Sequence, residues 1–251
     1  MPDTVKNQSA YPQPKTQKAG CGFPLAKIGV IFSLATGAAI ALVIDVLNTH
    51  DIKLARQLYQ FLNPLDILLG DRAFCSYAEI IAIKKLDCDV VFRKHQARKT
   101  SMHKGKIVGD CDKLVSWCKP IACPKGLNKD EFDALPQTLT VREIFYYIVI
   151  PGFRTERVSL ITTLLDIETY PSLEIVELYG NRREVEVNLK HLKTNARNGC
   201  FTLQNSSNGT QGNLCLFTGL QSAVWLDVVG RHYLRYSAVT PIIARHSSSF
   251  K

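Results

Sequence analysis

The first residue that could do metal chemistry is Asp71, within the segment Gly70-Asp71-Arg72-Ala73-Phe74. It directly follows Asp66–Leu69, a short apolar run that predicts a strand, so its carboxylate lies where open α/β sheets place their ligands. A carboxylate at such a position can hold a hard cation such as Mg²⁺. The alternative, and the commoner role, is an aspartate in a turn that pairs with Arg72 or bonds to its own backbone.

A row of chemically active side chains is predicted on the helix that follows Pro171. At about 100° per residue, four of its side chains fall within roughly 60° of one another. These four are Tyr179, Arg182, Glu186 and Lys193. A carboxylate flanked by cations suits a metal ligand that works beside phosphates, whereas a solvated charged face is the usual explanation for such a row. The other charges spread around the helix while these four align, which favours the metal ligand.

The elements that must position these residues indicate an α/β fold. An apolar stripe beside the polar row predicts the core-facing side of the helix and consists of Leu178, Val185, Leu189 and Leu192. Upstream, the pattern predicts a strand pair, a helix, a strand, a helix capped by Ser76, and another strand. Their ranges are 27–47, Asp51–Leu62, Asp66–Leu69, Ser76–Leu86 and Asp89–Arg93.

Between the two candidate sites the pattern changes to short strands and turns. This β-rich segment runs from about Gln96 to Ile150 and reads as an insertion into the α/β core. Thr155–Leu165 then returns to a strand, and the helix after Pro171 runs to about Lys193. The two candidate carboxylates, Asp71 and Glu186, therefore lie on either side of the β-rich segment.

Charge favours a polyanionic partner, either nucleic acid or an anionic membrane, because the 251 residues carry a net charge of +9. The seventeen uncharged residues Ile28–Ile44 are barely long enough to span a membrane. Thr36-Gly37 interrupts them, and the flanking runs are rich in β-branched residues, so two buried strands with a tight turn are favoured. The polar stretch Pro2–Ala19 predicts no signal peptide.

The eight cysteines include no Cys-x-x-Cys pair. The only cluster, Cys111, Cys118 and Cys123, has a spacing that fits no familiar zinc site. Reduced thiols are therefore expected, and with them a cytoplasmic protein.

The aligned row on the predicted helix resembles the signature of a large group of bacterial insertion-sequence transposases with a DDE active site. That signature is Tyr179-x2-Arg182-x3-Glu186-x6-Lys193. Further segments agree with the same group, so the resemblance extends over roughly residues 1–194. Those segments are MPDTVKNQSAYPQPKTQKAGCGFP, GDRAFCSY, VVFRKHQARKT and PGFRTERVSLITTLLD.

The resemblance implies an RNase H-like core interrupted by a β-rich insertion. The first part of the core would be residues 1–95, the insertion 96–150, and the rest of the core 151–194. The implied activity is metal-dependent DNA strand cleavage and transfer in transposition, with three carboxylates that hold two Mg²⁺ ions, or alternatively Mn²⁺. Asp71 would be the second carboxylate and Glu186 the third.

The resemblance also implies which residues meet DNA. Three residues of the signature would contact phosphates near the cut, namely Tyr179, Arg182 and Lys193. A further basic patch would contact the backbone without reading sequence, although a solvated surface is an equal alternative for it. Its members are Arg93, Lys94, Arg98 and Lys99. The partners implied are double-stranded DNA at transposon ends and target, bound as a homodimer, without a membrane and at the bacterial nucleoid.

The beginning of the chain departs from the family pattern. The family's first carboxylate lies on a strand just before the segment Met1-Pro2-Asp3-Thr4, so we expect an incomplete metal site and a defective enzyme. Asp3 is a nearby substitute but is out of place in the alignment, and Asp45 follows an apolar strand but matches no motif. Arg183 also stands where relatives carry Trp. A non-catalytic DNA-binding fragment is the alternative function.

The end of the chain departs further, since residues 195–251 turn polar where relatives have a helix-rich segment. Codons that encode residues 198–206 can be read one base later as Met-Asp-Val-Leu-Arg-Cys-Lys-Thr-Pro, the kind of segment expected there. We therefore expect a frameshift near residues 194–198 and an out-of-frame tail without chemistry of its own. The gene's nucleotide sequence tests this directly.

Overall fold

The computed structural model describes residues 3–16, 18, 20, 22–98, 105–124, 126–148 and 155–182, together with the backbone of three later strands. The chain divides into two compact units. The first comprises Met1–Leu62 and Arg182–Val228, and the second comprises Asn63–Asn181 and Val229–Lys251.

Strands outnumber helices among the described residues. The strands are Ala26–Ser33 (β1), Ala39–Val46 (β2), Asp66–Gly70 (β3), Asp89–Arg93 (β4), Lys106–Gly109 (β5), Asp112–Cys118 (β6), Thr138–Ile148 (β7), Glu156–Thr162 (β8), Phe201–Leu203 (β9), Gly212–Leu214 (β10) and Ala223–Gly230 (β11). The helices are Val5–Ala10 (α1), Asp51–Leu58 (α2), Tyr77–Lys84 (α3), Lys129–Asp133 (α4) and residues 172–182 (α5). Short 3₁₀ helices span Tyr59–Phe61 and Arg72–Phe74.

The first unit contains the predicted strand pair. Antiparallel pairing of β1 with β2 runs from Ala26 opposite Val46 to Phe32 opposite Ala39, which confirms two strands in place of a membrane span. No helix within the described residues is long and apolar enough to cross a membrane. Burial was predicted for both strands, but only β1 is buried, while β2 is half-buried to exposed. On its other edge β1 pairs in parallel with β11, a strand of the tail.

The second unit contains a mixed sheet of six strands in the order β3-β4-β8-β7-β6-β5. Strands β3 and β4 are parallel, and the remaining neighbours are antiparallel. This arrangement confirms the α/β class. The segment 96–150 is β-rich as expected, and its strands β5, β6 and β7 extend this sheet through the pairing of β7 with β8. Its status as an insertion into an RNase H-like core stays a prediction.

Local signals in the sequence correctly predicted the elements around Asp71. Strand β4 has the predicted bounds. Strand β3 begins where predicted and ends one residue later than predicted, at Gly70. Helix α3 begins after Ser76, whose hydroxyl accepts a hydrogen bond from the backbone N–H of Glu79 at 3.3 Å. Its apolar side chains pack into the core, and Ile80 and Ile83 are fully buried.

Candidate functional site

Asp71 lies at the carboxyl end of β3 and caps the 3₁₀ helix Arg72–Phe74. Its Oδ1 accepts a hydrogen bond from the backbone N–H of Arg72 at 2.6 Å, and the Arg72 Nε lies 3.9 Å from the same oxygen. These contacts are those of the turn aspartate that was the alternative to a metal ligand. The side chain is nevertheless 47% exposed, so a cation in solvent can reach it.

Gly70, the residue before Asp71, leaves room for two aromatic rings. A Cβ at this position would lie 2.8 Å from Cε1 of Phe92 and 3.3 Å from Cδ2 of Phe74. Real Cβ atoms do not come this close to a ring packed in a core, so the position requires glycine. The Phe92 and Phe74 rings thereby hold the backbone that leads into Asp71.

Helix α5 docks on this end of β3. Leu178 is buried, as predicted for the core-facing stripe, and so is Ile175. The other predicted members of that stripe lie outside the described residues, namely Val185, Leu189 and Leu192. Tyr179 is only 9% exposed, and its hydroxyl donates a hydrogen bond to the carbonyl oxygen of Gly70 at 3.3 Å. The structure therefore brings the helix that carries Tyr179, the first residue of the signature, to the residue next to Asp71, and it directs the Tyr179 hydroxyl to protein backbone.

Arg142, which the sequence analysis missed, lies on β7 and forms hydrogen bonds both to β6 and to the segment that precedes α5. It is 1% exposed, and its Nε donates to both carboxylate oxygens of Asp112 at 2.9 and 3.0 Å. Its Nη1 donates to the carbonyl oxygens of Tyr170 at 2.6 Å and Leu164 at 3.4 Å. The sequence did contain a signal for this residue, namely an arginine at a position of a predicted strand where burial is expected. A buried charge requires partners, so such an arginine predicts an ion pair.

The predicted basic patch is divided between the two faces of the sheet, because successive strand residues point to opposite sides. Arg93 ends β4 and forms an ion pair with Glu156 on one face. Lys94 forms an ion pair with Glu143, and its side chain is only 7% exposed. Arg98 is half-buried and stacks on Trp117, with its guanidinium carbon 3.7 Å from the ring centroid.

The face that carries Glu143 has an excess of cations, and we call it the cation-rich face. Among the residues that the structure describes, its charged members include Lys94, Arg98, Lys113, Glu143 and Arg157. The Lys113 Nζ lies 3.6 Å from Oε2 of Glu143. Arg157 is exposed and lies over the Phe145 ring at 4.4 Å, and Lys113 approaches the same ring at 5.2 Å. Two of these cations, Lys94 and Lys113, thus pair with Glu143, while Arg98 and Arg157 stack on the rings of Trp117 and Phe145.

The buried thiol of Cys75 lies near this cluster. Burial raises the pKa of Cys75 to about 11, and the positive charges of Arg98 and Lys94 act in the opposite direction. Burial also lowers the pKa of Arg98 below its usual value. Burial thus disfavours the charged form of both groups.

Several predicted site residues lie outside the described part of the chain: Lys99, Glu186 and Lys193. Arg182 is the last described residue of α5. Of the two aspartates considered as substitutes, Asp3 accepts a hydrogen bond from the Gln8 side chain, and Asp45 accepts one from the N–H of Val46. No group of three metal-ligating side chains occurs among the residues that the structure describes.

These observations define an α/β protein with an accessible carboxylate at a strand end, a helix docked beside it, and a cation-rich sheet face. The family model described as the transposase DDE domain matches residues 3–207, about four fifths of the chain. The chain therefore belongs to the DDE transposase domain family, as its motifs indicated. Neither a curated protein nor a solved structure matches it. A transposase function and DNA as partner follow from the family.

Proposed function

We propose that this chain is a defective DNA transposase of a kind that cleaves and transfers DNA strands with divalent metal ions, and that Asp71 and Glu186 are two of the metal ligands. The supporting observation is the docking of α5 at the carboxyl end of β3, where Tyr179 reaches the carbonyl of Gly70. Glu186 follows Tyr179 by seven residues in the sequence. Asp71, which follows Gly70, presents a half-exposed carboxylate at the same strand end.

The donor chemistry fits Mg²⁺, with Mn²⁺ as the alternative, because both ions prefer carboxylate oxygens. When bound, such ions lower the pKa of a water or a DNA 3′-hydroxyl and stabilise the leaving oxygen. The protein's own contribution is to hold the carboxylates and to place the phosphates. We assign the phosphates near the cut to Arg182 and Lys193.

We assign further contacts with the DNA backbone to the cation-rich face. Arg98 and Arg157 are the accessible members, whereas Lys94 and Lys113 lie deeper beside Glu143. Phosphate contacts of this kind increase affinity without reading sequence and weaken with salt. Arg93 is on the opposite face with Glu156, so we exclude it from this surface.

The test is a nicking assay on supercoiled DNA with Mg²⁺, Mn²⁺ or EDTA. We expect slow, metal-dependent nicking that Asp71→Asn and Glu186→Gln each reduce at least about a hundredfold, as expected for removal of a metal ligand. Asp110→Asn is the matched control, since it neutralises another exposed turn aspartate of the same unit. Nicking that persists at the wild-type rate in Asp71→Asn would show that this carboxylate is no ligand.

The second candidate is a DNA-binding protein without nuclease activity. The observation that favours it is the cation-rich face, since DNA binding there needs no metal-holding carboxylate. Salt-sensitive DNA binding without nicking in either metal would support this candidate. We also propose a homodimer on DNA, which the mass of the protein–DNA complex measures.

A further inference from the structure

Two tyrosine hydroxyls of the second unit donate hydrogen bonds to distant backbone carbonyls. Tyr179 donates to Gly70 at 3.3 Å, and Tyr77 donates to Pro136 at 2.7 Å. Both side chains are buried, at 9% and 2% exposure. The two bonds are chemically alike, but only that of Tyr179 ends beside the candidate metal ligand.

The Gly70 carbonyl belongs to the peptide plane that also contains the backbone nitrogen of Asp71. Because a peptide unit is planar, a hydrogen bond to this oxygen restrains the plane from which the Asp71 residue projects. Phe92 and Phe74 pack against Gly70 from the side that a Cβ would occupy, so the plane is restrained there as well. Asp71 is in turn held by its bond to the N–H of Arg72.

We propose that Tyr179 is a positioning residue whose hydroxyl fixes the Gly70–Asp71 peptide against α5 and so aims the Asp71 carboxylate. This role differs from the phosphate contact that the signature implies, because the hydroxyl is buried and bonded to the backbone. The role in metal binding rests on the proposed function. The restraint on the peptide is independent of it.

The experiment compares Tyr179→Phe with Tyr77→Phe, each of which removes one hydroxyl and keeps the ring. Amide hydrogen exchange is measured on a peptide that covers residues 70–76, and global stability is measured by urea unfolding. We expect Tyr179→Phe to speed exchange in this peptide about three- to tenfold, the equivalent of one ordinary hydrogen bond. The shorter bond of Tyr77 predicts that Tyr77→Phe lowers global stability at least as much while it leaves this exchange within about twofold of wild type.

A Mn²⁺ titration of the full chain, followed by the electron paramagnetic resonance of the free ion, gives the second readout. We expect Asp71→Asn to remove the binding and Tyr179→Phe to weaken it about three- to tenfold, whereas Tyr77→Phe leaves it unchanged. The positioning role is overturned if amide exchange in the peptide 70–76 is the same in Tyr179→Phe as in wild type. It is also overturned if Tyr179→Phe and Tyr77→Phe speed that exchange equally. Unchanged Mn²⁺ binding in Tyr179→Phe, with binding lost in Asp71→Asn, overturns the aiming of the carboxylate.

The failure of this inference can be distinguished from that of the proposed function. If the wild-type chain takes up no Mn²⁺, the metal proposal fails, and the exchange comparison still decides whether Tyr179 restrains the peptide. If Mn²⁺ binds and depends on Asp71 while Tyr179→Phe changes neither readout, the proposed function stands and the positioning role is wrong.

Discussion

The two faces of the six-stranded sheet differ in how their cations are paired with carboxylates. On one face of β6, β7, β8 and the end of β4, each cation has a carboxylate: Arg142 bonds to Asp112, and Arg93 pairs with Glu156. On the cation-rich face Lys94 and Lys113 share Glu143, while Arg98 and Arg157 stack on aromatic rings. A carboxylate partner offsets the cost of burying a cation. A surplus of cations over carboxylates, beside aromatic rings, favours binding of an anion from solution. Substitutions on the paired face should therefore change mainly stability, and those on the cation-rich face should also change anion binding.

The largest expected effect is on the paired face. Arg142→Met removes one partner of a buried, multiply bonded ion pair and leaves Asp112 without it, so we expect a loss of about 3–5 kcal/mol in the free energy of unfolding. Urea unfolding measures this loss. Arg157→Met on the cation-rich face is the matched control and should change stability by less than about 1 kcal/mol, because that arginine is exposed.

A double replacement sharpens this expectation. Arg142→Met with Asp112→Leu removes both charges, and it should recover part of the stability lost by Arg142→Met alone. Equal instability of the Arg142 and Arg157 variants would contradict the difference between the two faces. So would a double variant that is less stable than Arg142→Met alone.

The second effect concerns Glu143, which is 2% exposed. Glu143→Gln removes the carboxylate that Lys94 and Lys113 share, so we expect about 2–3 kcal/mol of destabilisation at low salt. Because the variant leaves a larger surplus of positive charge, added phosphate or duplex DNA should raise its melting temperature more than that of wild type. The thermal shift at several phosphate concentrations measures this, and equal shifts would argue against an anion-binding face.

The third effect is a loss of stability at alkaline pH that comes from Cys75. Its pKa is about 11 in the fold against 9.0 for the ordinary thiol, and burial is the main cause. The unfolded chain therefore releases the proton first, so stability is intact below pH 9 and falls as pH rises from 9 to 11. At pH 10 we expect a loss of about 1–2 kcal/mol from this group. Cys75→Ala should flatten that part of the profile, and an unchanged slope would contradict the assignment.

Short-range signals in the sequence were sufficient to predict much of this second unit. The bounds of β4, the end of β3 and the serine cap of α3 are set by residues within a few positions of one another. The position of Asp71 at a strand end followed from the same signals. Because both the turn role and the metal role require an aspartate there, the sequence could not choose between them.

The contacts that sequence reasoning missed join distant parts of the chain. Arg142 reaches Asp112 across 30 residues, and Tyr179 reaches Gly70 across 109. No local pattern encodes which strand a buried cation or a tyrosine hydroxyl will meet. The separation of Arg93 from Lys94 could have been predicted, because neighbours at the end of a strand point to opposite faces. Treating them as one patch ignored that alternation.

The smallest expected effect tests the surface most directly, by the salt dependence of binding to duplex DNA. Each phosphate contact contributes about 0.9 to the slope of log affinity against log salt concentration. Arg98→Gln and Arg157→Gln should therefore each reduce the slope by about one and weaken binding about two- to fivefold at moderate salt. Arg93→Gln should leave the slope unchanged, since Arg93 lies on the opposite face with Glu156. Fluorescence anisotropy between 50 and 200 mM salt measures all three. If Arg93→Gln lowers the slope as much as Arg157→Gln, both faces meet DNA, and the paired charges of the first face do not exclude it.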